Sequence, residues 1–126
     1  MTPIEGLPEF DYTAAHAAAA LDIMRRLMPH VTPHQEYSEL VEILGTPSRW
    51  PEAHRHFTKI RVNITLPSDA RKERGLDAYF INVAENAAKT AYNCSGEPAR
   101  FDEESFERLL HAEKLFLEAL GRGVAK

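Results

Sequence analysis

Ser48–Leu66 reads SRWPEAHRHFTKIRVNITL, and two periodicities compete in it. At helical spacing, Trp50, Ala53, Phe57, Ile60 and Ile64 recur in steps of three and four. At strand spacing, Ile60, Val62, Ile64 and Leu66 alternate with Lys59, Arg61, Asn63 and Thr65, and β-branched residues are plentiful. The remainder of the chain decides between them. It offers no second strand, so a strand over 57–66 would leave both edges unpaired. A helix over 49–66 is therefore expected, with a strand at 57–66 as the alternative, and Pro67 ends either one.

Towards the N-terminus, Thr32-Pro33-His34-Gln35 has the form of a capping box with proline at the first helical position. Gly45 supplies the stop, which predicts a helix over 33–44 with Tyr37, Leu40, Val41 and Leu44 as its stripe. Before it, Asp11 or Thr13 can cap a helix over 12–29. Its broad apolar face carries Ala17, Ala20, Ile23, Met24 and Leu27, opposite Asp22, Arg25 and Arg26. Pro3, Gly6 and Pro8 mark residues 1–10 as an irregular arm.

Towards the C-terminus, Ser68–Gly75 is a polar, basic connector. From Leu76 the apolar face spreads over more than half the circumference and turns to alanine at Ala84, Ala87, Ala88 and Ala91. Such a helix, 76–93, admits close neighbours and belongs at the centre. Asn93 then suits a left-handed cap, and Ser95-Gly96-Glu97-Pro98 is turn chemistry. Asp102 caps a last helix over 103–120, and Gly121-Arg122-Gly123 is expected to fray. The sum is an all-α, compact bundle of four to five helices.

At 126 residues this is one domain, long enough to bury roughly two-thirds of its unfolded surface without a disulfide or metal. One cysteine excludes an internal disulfide and points to a reducing compartment, the cytoplasm. No apolar run approaches the ~20 residues of a membrane span, and no signal peptide is read at Met1–Glu5. The net charge of -4 is unevenly spread. Residues 51–75 hold six Lys/Arg against three Asp/Glu, between two acidic flanks. A general nucleic-acid binder would be basic overall, so nucleic acid is not expected as a partner.

Three sets of residues invite a functional reading. Cys94 has the nucleophile's chemistry but lies beyond a helix C-terminus, where the dipole disfavours a thiolate. The nearest histidine in sequence, His111, is seventeen residues away. No catalytic residue is assigned.

Glu113 falls within the stripe Phe106, Leu109, Leu110, Phe116, Leu117 and Leu120 of the last helix. A carboxylate there has to be paired, neutralised or opened to a cleft, and His16 and Arg61 are the expected partners. The corresponding ligand site would gather Glu113, His16 and Tyr92, with Tyr79 as a further liner.

The basic residues Arg55, Lys59, Arg71, Lys72 and Arg74, with His56 beside them on the solvent side, form the candidate docking patch. Val62 and Leu115 point outward on helical wheels and would add an apolar centre. Six histidines suggest metal, yet Glu52 with His56 and Glu107 with His111 read as outward pairs, and no established ligand motif is present. No metal or cofactor is expected. The function expected is protein–protein interaction, through a protein partner or self-association, without chemistry of its own. The alternative is a small-molecule site around Glu113 and His16.

Overall fold

The computed structural model describes residues 9–64, 75–94 and 103–124. Within them the chain forms five α-helices: α1 (Glu9–Leu27), α2 (Gln35–Leu44), α3 (Ala53–Asn63), α4 (Leu76–Cys94) and α5 (Glu103–Gly121). No strand occurs among the described residues, and the fold is an all-α bundle.

The stretch that decided the fold is helical through Asn63, with Ile64 as its C-cap. Burial gives the reason. Ile60 and Ile64 are buried with Ala53, whereas Val62 is 70% exposed. A strand would put Ile60, Val62 and Ile64 on one face; a helix separates Val62 from the other two. Residues 65 and 66 lie outside the described residues.

α2 and α3, α3 and α4, and α4 and α5 run antiparallel, and side chains mark each of these pairings. Asn63 and Lys59 of α3 bond to Glu36 and Glu39 of α2. Arg61 and His54 of α3 face Glu85 and Tyr92 of α4. Asn93 and Phe80 of α4 meet Ser105 and Phe116 of α5. α4 packs against all four other helices, as its alanine-rich face predicts. Ala84, Ala87, Ala88 and Ala91 are fully buried, and through the middle run Tyr37, Phe80 and Phe116 with edge-on ring contacts at 4.7 and 6.0 Å.

The helix ends depart from the sequence reading in six places. α1 begins at Glu9, so Asp11 and Thr13 lie inside it with the last two residues of the expected arm, whose residues 1–8 fall outside the described residues. Its far end tightens into a 3₁₀ turn, Met28–His30, at Pro29.

The capping box does not form. His34 is the extended N-cap of α2 without a side-chain bond, and the Thr32 N–H instead donates to Asp77 Oδ1 at 3.0 Å. A tertiary acceptor on α4 has replaced the local one.

Residues Pro47–Glu52 are a 3₁₀ segment rather than the first turns of α3. There the Trp50 indole N–H donates to the Leu44 carbonyl at 3.1 Å, satisfying one of the acceptors that the end of α2 leaves open. Asn93 is not a left-handed cap but a member of the last turn of α4, its amide donating to Ser105 Oγ at 3.2 Å.

The end of α5 does not fray where it is described. Gly123 takes φ 80°, its N–H returns to Leu120 O at 3.0 Å and that of Val124 to Ala119 O at 3.1 Å. This is a Schellman closure, and Val124 packs on the core as its apolar lock. The expected N-cap Asp102 lies outside the described residues.

Candidate interaction surface

α5 explains why Glu113 looked misplaced. The buried line of this helix is Ser105, Leu109, Ala112, Phe116 and Ala119. Small residues lie where α4 presents its own alanines, because close helix approach needs them on both sides. The larger Phe106, Leu110, Glu113 and Leu117 form a second line along the flank facing α1, with Leu110 and Leu117 more than 40% exposed.

Glu113 there is 16% exposed, and its Oε2 accepts from Arg26 Nη2 at 2.7 Å. Arg26 also donates to Asp22 Oδ2 at 2.8 Å, and these two carboxylates hold its guanidinium above its ordinary value, Asp22 first. The partner of Glu113 is therefore neither of those expected. His16 packs edge-on against Phe106 with ring centres 4.1 Å apart, two turns or about 10 Å along α5 from Glu113. Arg61 points to α4, where its Nε is 3.5 Å from Glu85 Oε2. Tyr92 lies beside His54, ring centres 4.9 Å apart, at the junction of α3 and α4. The three residues of the expected ligand site are thus in three separate places.

The basic patch survives in part. Arg55 and Lys59 are exposed on α3, whereas Arg71, Lys72 and Arg74 lie outside the described residues. Lys59 Nζ donates to Glu39 Oε1 at 3.1 Å, which lowers the Glu39 carboxyl. His56 is not on the solvent side. It is buried against α2, with Nε2 2.8 Å from the Glu36 carbonyl oxygen, which fixes Nε2 as the protonated donor.

Around these residues the structure gathers groups that the sequence left apart. α3 carries Arg55, Lys59 and Arg61 and no carboxylate. The Phe57 ring is flanked by two cations, Arg61 at 5.6 Å and Lys89 of α4 at 5.2 Å from its centroid. Tyr92, 44% exposed, and His54 continue the aromatic strip towards the end of α4, while Val62 stands on the outer ridge of α3. Glu85 lies among the cations; burial raises its carboxyl although Arg61 and Lys89 act the other way. Phe57 and Lys89 were not singled out in the sequence. Their meeting depends on the register between α3 and α4, which no local pattern encodes.

Leu115, expected outward, is half-buried. It lines a shallow groove of about 370 Å³ between α4 and α5 with Asn82, Asn86, Arg108 and His111. Among the described residues no group of three or more His, Cys, Asp or Glu is placed to hold a metal ion. Cys94 is buried, and burial pushes its thiol up to about 11 against the opposing effect of a hydrogen bond with the Ala17 backbone. It is a thiol, not a thiolate, at neutral pH. No described helix is long and apolar enough to cross a membrane.

No protein-family model, no curated protein and no solved structure matches this chain.

Proposed function

We propose that this protein is an interaction module that binds an acidic protein partner through the α3–α4 face. The observation that carries the reading is the Phe57 ring held between Arg61 and Lys89, with Tyr92 and Val62 exposed on either side. Aromatic and arginine side chains fixed in place before binding are what the central contacts of protein interfaces are made of, because little side-chain entropy remains to be lost. Arg55, which has no ion-pair partner within 4 Å among the described residues, adds charge at the rim, where it speeds encounter with an acidic surface. Glu39 and Glu85 offset part of the positive field, which suits recognition of one protein surface better than general binding to polyanions.

A chain with one cysteine, and that one buried, fits work in a reducing compartment, and we place the protein in the cytoplasm on that ground.

The test is capture from the native cell with the tagged protein and two surface variants, Arg55→Glu and Val62→Asp. Support is a partner with an acidic surface, recovered with the wild type, lost with both variants and released by salt. A captured set indifferent to both variants sinks the proposal.

A further inference from the structure

We infer, resting on the reading of the α3–α4 face as the one that binds an acidic protein, that the partner brings an acidic amphipathic helix, which lies along the seam between α3 and α4. Three rungs cross that seam. His54 of α3 meets Tyr92 of α4 with ring centres 4.9 Å apart. The Phe57 ring meets Lys89 at 5.2 Å from its centroid, and Arg61 Nε meets Glu85 Oε2 at 3.5 Å. On both helices the rungs fall three and four residues apart, so each helix contributes one straight line of side chains.

Spacing selects the shape of the occupant. The outer rungs stand seven residues apart on α3 and on α4, about 10 Å along the axis. A helix laid in the seam repeats that rise and sets its own side chains at i, i+3 or i+4, and i+7 beside all three rungs. An extended segment sets three side chains of one face over about 13 Å, and so runs out of step by the third rung.

Charge selects its sign. Arg61 and Lys89 bring two cations to the seam against the one carboxylate of Glu85. The Arg61 side chain is 65% exposed and that of Glu85 19%, so an arriving helix meets the guanidinium before the carboxylate. Arg55 adds positive charge on the outer side of α3, which has no carboxylate of its own. The occupant therefore places apolar side chains over Tyr92 and Phe57, and carboxylates beside Lys89 and Arg61.

The probes are two labelled synthetic peptides of about four helical turns, locked as helices by a side-chain lactam on the far face. Each carries leucine at i and i+3 and glutamate at i+4 and i+7, the pattern running in opposite directions in the two. Fluorescence anisotropy reads the affinity, and backbone NMR shifts read the place. At least one probe should bind, with its shifts centred on the α3–α4 seam and its affinity falling as salt is added. A proline in the middle of that probe should weaken binding by about tenfold or more, as should Lys89→Glu or Tyr92→Ser in the protein. Circular dichroism checks that both variants keep their helix content.

No binding by either probe at millimolar concentration overturns the inference. So does a proline-broken peptide that binds as well as its parent, or binding that both protein variants leave unchanged. Should any of these occur while the captured acidic partner is still lost with Arg55→Glu and Val62→Asp, the α3–α4 face stands and only the helix falls. A capture indifferent to those two surface variants removes the face and the helix together.

Discussion

Arg26 on α1 and Glu113 on α5 meet at 2.7 Å across 87 residues of sequence. The contact accounts for a carboxylate placed among leucines. Glu113 completes its ion pair at the edge of the bundle rather than at its centre, and α1 and α5, which share few other contacts, are joined there. Because Arg26 is about half exposed, the pair lies in the range of surface ion pairs and not of buried ones.

A double-mutant cycle with Arg26→Gln and Glu113→Gln should therefore give a coupling of about 0.5 to 1 kcal/mol, declining as salt is added. Glu113→Leu should fall within about 1 kcal/mol of the wild type, since the new leucine lies between Leu110 and Leu117. Urea unfolding measures all four variants. A loss of several kcal/mol would show that the pair is screened far less than its exposure implies.

Gly45 and Gly123, both at helix ends, should respond oppositely to alanine. Gly45 has φ -83°, and a methyl group added there meets its neighbours no closer than 3.6 Å. Gly45→Ala should stabilise by about 0.5 kcal/mol through the unfolded chain. Gly123 has φ 80°, so Gly123→Ala should cost about 1 kcal/mol by straining the closure of α5. Thermal midpoints moving in the same direction would contradict this contrast.

Glu85 gives a pH-dependent prediction. Its carboxyl is raised above the ordinary 4.5, chiefly by burial, so its ionisation is harder in the folded chain than in the unfolded one. Its contribution is most favourable below 4.5 and declines as pH rises through the raised folded value. Glu85→Gln should consequently be at least as stable as the wild type at pH 7, and the difference should shrink on acidification to pH 4. If the variant is clearly weaker at pH 7, the contact with Arg61 at 3.5 Å outweighs the burial.

Cys94 should be slow to label in the folded protein. A thiol at about 11 rather than 9.0 holds about a hundredfold less thiolate at pH 7, and the sulfur is buried as well. Reaction with a disulfide reagent should be at least that much slower than in denaturant. Equal rates in the two states would place the residue at the surface.

Periodicity with its punctuation was enough for the helical class, the centrality of α4 and the end at Leu44, because those features depend on residues close in sequence. His56 shows the limit. It sits among basic residues and reads as solvent-facing, yet α2 packs over it and supplies the Glu36 carbonyl. Thr32 shows the same limit at a cap: the side chain that would close α2 locally was on offer, and Asp77 of another helix took the backbone N–H instead. Apolar pattern also misjudged which line of α5 is buried, since bulky Leu110 and Leu117 outrank Ala112 and Ala119 in hydrophobicity.

The sequence by itself determined where this chain coils and roughly which arc of each helix avoids water, since 3.6-residue repetition and proline and glycine act within a few residues. Only the tertiary structure decided that Glu113 answers Arg26, that Phe57 lies between Arg61 and Lys89, and that His16, Tyr92 and Glu113 stay apart. Those outcomes depend on how far one helix slides along another. Interlocking side chains and alanine-to-alanine approach set that distance, and no single segment carries it.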